Sequence, residues 1–110
     1  KEVKSPWLKL AYDYSHFIHR NIDFEGSLKT MIPHTRFIHV KDTIIKDGKP
    51  RFVIPGASGQ INYAKLMSLS AKLGYRGDIN AEISGQVWGQ KGYDSIATAK
   101  TSYQNLSTAF

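Results

Sequence analysis

Apolar and β-branched residues along this 110-residue chain fall into short blocks separated by polar and turn-forming stretches. Trp7 to Tyr12 reads as a strand entered from an irregular start, and Asp23 to Met31 as a short helix with Asp23 as its N-cap, ended by Pro33. Arg36 to Lys41 is apolar almost throughout, as expected of a strand covered on both faces. The rhythm then breaks. Lys46-Asp47-Gly48-Lys49 is a hairpin turn signal between Ile44-Ile45 and Phe52-Val53-Ile54. Beyond the loop Pro55-Gly56-Ala57-Ser58-Gly59, apolar residues at Ile61, Leu66, Leu69 and Leu73 recur at helical spacing, and Gly74 supplies a stop. Asp78 to Ile83 is a third strand of the alternation, and Tyr93 to Phe110 a closing helix with Ile96, Ala99, Tyr103 and Leu106 on one face.

Strand, helix, strand, hairpin, helix, strand, helix implies parallel strands joined by right-handed crossovers, so that their C-terminal ends share one edge. Each strand finishes on a residue that can bind a metal or move a proton: Asp13 and then His16 after Ala11-Tyr12, His39 within Phe37-Ile38-His39-Val40-Lys41-Asp42, and Glu82 within Ile79-Asn80-Ala81-Glu82-Ile83. A carboxylate inside an apolar strand costs several kcal/mol to desolvate unless it is paired or holds a cation, and an imidazole there needs a partner. Asp13, His39 and Glu82 together form a mixed oxygen and nitrogen donor set suited to manganese, magnesium, cobalt or zinc.

Each of these residues also has a bland reading. Asp13 could cap a turn beside an exposed His16, and His39 could be a satisfied core histidine. Lys41 and Asp42 are expected to pair with each other or with neighbouring strand ends. His19, Arg20 and His34 read as turn residues facing water. Gly56-Ala57-Ser58-Gly59 could offer backbone amides to a phosphate, but no Walker-type lysine follows. Trp7, Trp88 and Tyr93 read as core or rim packing, with Trp88 also near enough to the Glu82 strand to line a pocket. The sequon Asn105-Leu106-Ser107 lies in a helix-like segment and reads as chance.

Composition narrows the class. Hydrophobic residues at 41% and charged residues at 22% are ordinary for a packed domain, and the length suits one domain or part of one. The net charge of +6 is spread over scattered lysines and arginines without a stripe, so a nucleic-acid partner is not expected. With no cysteine, disulfides, thiolate metal sites and cysteine nucleophiles are excluded. No apolar run approaches the ~20 residues of a membrane span, and Lys1-Glu2-Val3-Lys4 lacks the apolar core of a signal peptide, so a cytoplasmic location is expected.

Taken in order, Asp13-Tyr14-Ser15-His16, His39-Val40-Lys41-Asp42, Pro55-Gly56 with Ile61-Asn62-Tyr63, Leu73-Gly74-Tyr75-Arg76-Gly77 and Ala81-Glu82-Ile83 make the chain resemble the sugar phosphate isomerase/epimerase superfamily, the xylose-isomerase-like barrels. The resemblance covers essentially the whole chain. It implies an α/β fold in which residues 1–110 supply about three βα units plus a β-hairpin insertion from the C-terminal part of a (β/α)8 TIM barrel. It also implies one divalent metal ion, with Asp13, His39 and Glu82 as ligands and a further Glu upstream of Lys1, without which this chain alone is expected to be inactive in the complete reaction. Glu82 would double as catalytic acid/base in proton transfer next to a carbonyl through an enediolate, with His16, Lys41 and Trp88 on the substrate side. The implied partners are a small-molecule sugar and, to cover the sheet edges, a missing N-terminal half or a second copy. An abasic-site endonuclease of the same superfamily, or a non-catalytic fragment or binding module, are the alternatives; the endonuclease branch needs further His ligands, and none follows His39.

Overall fold

The computed structural model describes residues 5–109. The fold is mixed α/β, with a parallel sheet of three strands and a separate antiparallel pair. Strand β1 (Leu10–Tyr12) leads through two 3-10 turns, Tyr14–His16 and Ile18–Arg20, into helix α1 (Phe24–Met31). Strand β2 (Thr35–Val40) runs almost directly into the hairpin of β3 (Asp42–Lys46) and β4 (Lys49–Val53). Helix α2 (Tyr63–Lys72), strand β5 (Asp78–Ala81), the one-turn helix α3 (Gly85–Trp88) and helix α4 (Ser95–Leu106) complete the order.

Local chemistry explains most of the boundaries. Asp23, Asn62, Ser84 and Asp94 each accept a hydrogen bond from a backbone amide in the first turn of α1, α2, α3 and α4 respectively. These side chains satisfy donors that the helix cannot pair itself. The hairpin turns at Asp47 and Gly48, whose φ values of 53° and 71° are the left-handed pair that a two-residue type I′ turn requires.

Strand β2 is the centre of the sheet, in the order β1-β2-β5, with both neighbours parallel to it. Tyr12 pairs with Ile38 on one side, and Ile38 with Ile79 on the other. The core gathers on a single face. Tyr12 and Ile38 are buried with Leu28 of α1, Ile32 just after it and Leu66 of α2, and Val40 with Tyr63 of α2 and Leu106 of α4. Because strand side chains alternate, Phe37 and His39 point to the opposite face, where they are only half-buried, with rings 4.8 Å apart. The expected cover on both faces of β2 is therefore not found: its second face is aromatic and open rather than packed under helices.

Other expectations need correction. The first strand begins at Leu10, and Trp7 is 92% exposed rather than packed. The third strand ends at Ala81, although the amide of Glu82 still donates to the carbonyl of Val40 at 2.9 Å. Helix α4 begins after Asp94, not at Tyr93, and buries Thr98, Ser102 and Leu106 while exposing Ile96 and Tyr103. Small hydroxyl residues can face inward there because each closes on its own helix: Thr98 donates to the carbonyl of Asp94 and Ser102 to that of Thr98. The helix also packs close to the loop at Gly56, where φ is +79° and a Cβ would lie 2.6 Å from that of Asn105. Asn105, the sequon residue, donates its amide to the carbonyl of Pro55. Lys1-Glu2-Val3-Lys4 and Phe110 lie outside the described residues. Among the described residues no helix is long and apolar enough to cross a membrane.

The contact between Tyr12 and Ser27 makes the core sensitive to pH. Ser27 donates its hydroxyl to the carbonyl of Phe24, so the 2.9 Å bond between Tyr12 and Ser27 takes its proton from Tyr12. Burial pushes the Tyr12 phenol up to about 12, with nearby Tyr14 and Asp13 adding to it and the Ser27 bond partly opposing. An unfolded chain ionises that group near 10, so its contribution is full below pH 10 and falls as pH rises through about 12. Urea unfolding across that range should show declining stability with rising pH, and Tyr12→Phe should give a shallower decline.

Candidate metal centre

Register alone brings the three strand ends together. Tyr12 lies beside Ile38 with its side chain in the core, so Asp13, one residue on, projects to the face of His39. His39 pairs with Asn80, which places Glu82, two residues on, on that same face. One ligand atom from each of Asp13, His39 and Glu82 lies within 4.8 Å of the others, and all three residues are half-buried. Donor atoms ~2.2 Å from one divalent ion are spaced ~3–4.4 Å apart, so the cluster is within a small side-chain rotation of closing round a cation. The donor set and the spacing both fit the group.

Glu82 is the hub. Its Oε2 lies 2.9 Å from His39 Nδ1, and its Oε1 accepts from Lys41 Nζ at 2.7 Å. Burial alone would raise its pKa, but the Lys41 bond and charge, reinforced by His39 and His16, hold the carboxyl below the ordinary carboxylate value. It is thus poised as an anion. Asp13 is held differently: its Oδ1 accepts from the backbone amide and hydroxyl of Ser15, and its Oδ2 lies 3.3 Å from His16 Nε2. The Asp13 carboxylate does cap a turn, the first 3-10 turn, and one oxygen still faces the cluster's side with His16.

The hairpin supplies a wall. Phe52 of β4 places its ring 4.3 Å from Lys41 Nζ and 5.2 Å from the ring of His16. Its amide donates to Oε1 of Gln86 in α3, tying β4 to the segment that follows Glu82. Phe52 and Gln86 were not readable as site residues, because Phe52 is one of several apolar positions of a hairpin and only the fold returns it to the end of β2.

No protein-family model matches the chain, and no curated protein matches it.

The remaining expected residues divide. His16 and Lys41 stand beside the cluster, Lys41 with a side chain only 9% exposed and committed to Glu82 rather than to Asp42. Trp88 is 59% exposed at the end of α3, with its indole against Gly85. Asp42 is fully buried and takes three bonds, from the amide of Thr43 and from the amide and hydroxyl of Ser58. The Gly56–Gly59 loop thus turns its Ser58 amide to the Asp42 carboxyl of its own chain. Arg20 and His34 are exposed, as expected, whereas His19 is half-buried with Nδ1 enclosed and unpartnered among the described residues.

Calorimetric titration should show one manganese ion bound per chain. Asp13→Ala and His39→Ala should each weaken binding at least tenfold, while Asp78→Ala, at the opposite end of β5, should leave it unchanged.

Proposed function

We propose that this chain carries the metal-binding strand ends of a divalent-metal-dependent isomerase or epimerase of the xylose-isomerase-like barrel type, acting on a sugar or related hydroxy-carbonyl compound. The observation that carries the reading is the convergence of Asp13, His39 and Glu82 at the C-terminal ends of three adjacent parallel strands. In β/α barrels that end of the sheet holds the chemistry. The one-sided placement of the core helices supports it as well, since a barrel wall has helices outside and functional side chains within. Strand β5 is exposed along its whole length beside an apolar groove of about 520 Å³ that includes Ile79, Ile83, Tyr103 and Leu106, which suits a sheet that continues past β5.

When bound, the ion would act as a Lewis acid on a carbonyl oxygen and its neighbouring hydroxyl. Asp13 and His39 would hold it in place. Glu82, kept anionic by Lys41, exchanges the proton on the carbon next to the carbonyl. A carboxylate oxygen has two acceptor sites, so Oε1 can serve Lys41 and a substrate proton in turn. His16, half-exposed beside Phe52, faces the open side from which substrate would come.

Exchange with solvent needs one base, so it isolates the Glu82 step from delivery of the proton to a second carbon. With manganese present in D2O, proton NMR over a panel of aldoses, ketoses and their phosphates should show deuterium entering beside the carbonyl of at least one. Glu82→Gln should slow that exchange by about 10²–10⁴-fold. No exchange with any member would remove the isomerase reading.

A further inference from the structure

Lys41 is fixed at both ends. Its carbonyl accepts from the hydroxyl of buried Tyr63 at 3.1 Å, and its ammonium lies against the Phe52 ring at 4.3 Å. Phe52 is in turn held by Gln86. Glu82 is fixed where its backbone donates to Val40, so two anchored groups meet in the 2.7 Å bond between Lys41 Nζ and Glu82 Oε1. The other oxygen, Oε2, is the one beside His39. A side chain 9% exposed has little freedom to let go, and a desolvated, charge-assisted bond is stronger than a surface pair. A carboxylate with both oxygens free can take a divalent ion through one oxygen or through both. An oxygen whose charge is already shared with a fixed ammonium is the weaker donor to the ion, while its remaining acceptor site can still take a substrate proton.

We propose that Lys41 is a positioning residue: by occupying Oε1 it makes Glu82 meet a divalent ion through Oε2 alone, and so keeps one coordination position for water or substrate. The proposal rests on the divalent-ion reading of Asp13, His39 and Glu82. It gives Lys41 a task on its neighbour's carboxylate in place of direct substrate contact. Phe52 seats the ammonium, which explains why the hairpin folds back onto the end of β2.

Manganese is the probe, because the relaxation of water protons counts the waters on the bound ion. Three protein donors leave about three of the six positions of an octahedral ion to water. In Lys41→Met, Oε1 is released to take one of them, and the relaxation enhancement per bound ion should fall to about two-thirds of the wild-type value. Lys41→Gln, made in case the apolar replacement fails to fold by circular dichroism, should move the same way. Folded variants that bind manganese with the wild-type enhancement overturn the role of Lys41 and leave the metal site standing. A wild-type chain that gives no enhancement over free manganese removes the divalent-ion reading, and this proposal with it.

Discussion

Strand β2 is hydrogen-bonded on both sides, and its register with β1 and β5 decides where every group of the candidate centre lies. A slip of one residue would turn His39 into the core and Ile38 out to the open face, because strand side chains alternate. The register is held by what lies behind it. Tyr12, Ile38 and Val40 are buried by α1, α2 and α4, so the same apolar packing that fixes the fold also aims Asp13, His39 and Glu82. Stability and site geometry share one set of contacts, on opposite faces of one sheet.

On the open face the governing interaction is electrostatic. Two carboxylates and an imidazole gathered within a few ångströms would repel or desolvate at a cost unless cations balance them. Lys41 supplies a fixed positive charge to Glu82, and the Phe52 ring accommodates that charge where water is scarce. Asp13 relies on hydrogen bonds from Ser15 instead. The hairpin between β2 and α2 thus serves as the fourth side of the centre. Its root is secured by the buried Asp42, which binds Ser58 and pins the loop leading to α2.

The candidate ligands were legible in the sequence because chemistry and pattern conflicted there: Glu82 and His39 interrupt apolar runs, and Asp13 and Glu82 follow strands. Asp47-Gly48 marked the hairpin and Asp23 capped its helix for reasons that act within a few residues. Legibility ended where distant partners decide. The apolar length of β2 did not reveal that one of its faces is open, where Phe37 and His39 meet edge to face. The buried stripe of α4 runs through Thr98 and Ser102, whose hydroxyls are satisfied within the helix, while Ile96 and Tyr103 remain exposed. The partner of Lys41 depends on β5 lying beside β2, which no local signal in His39-Val40-Lys41-Asp42 encodes.

Anomalous diffraction at the manganese edge, from crystals grown with manganese chloride, would locate an ion held by these strand ends. A single strong peak is expected, enclosed by carboxylate oxygens of Asp13 and Glu82 and an imidazole nitrogen of His39, each ~2.2 Å away. Density at that point without an anomalous peak, or a peak held by other residues, would contradict that placement.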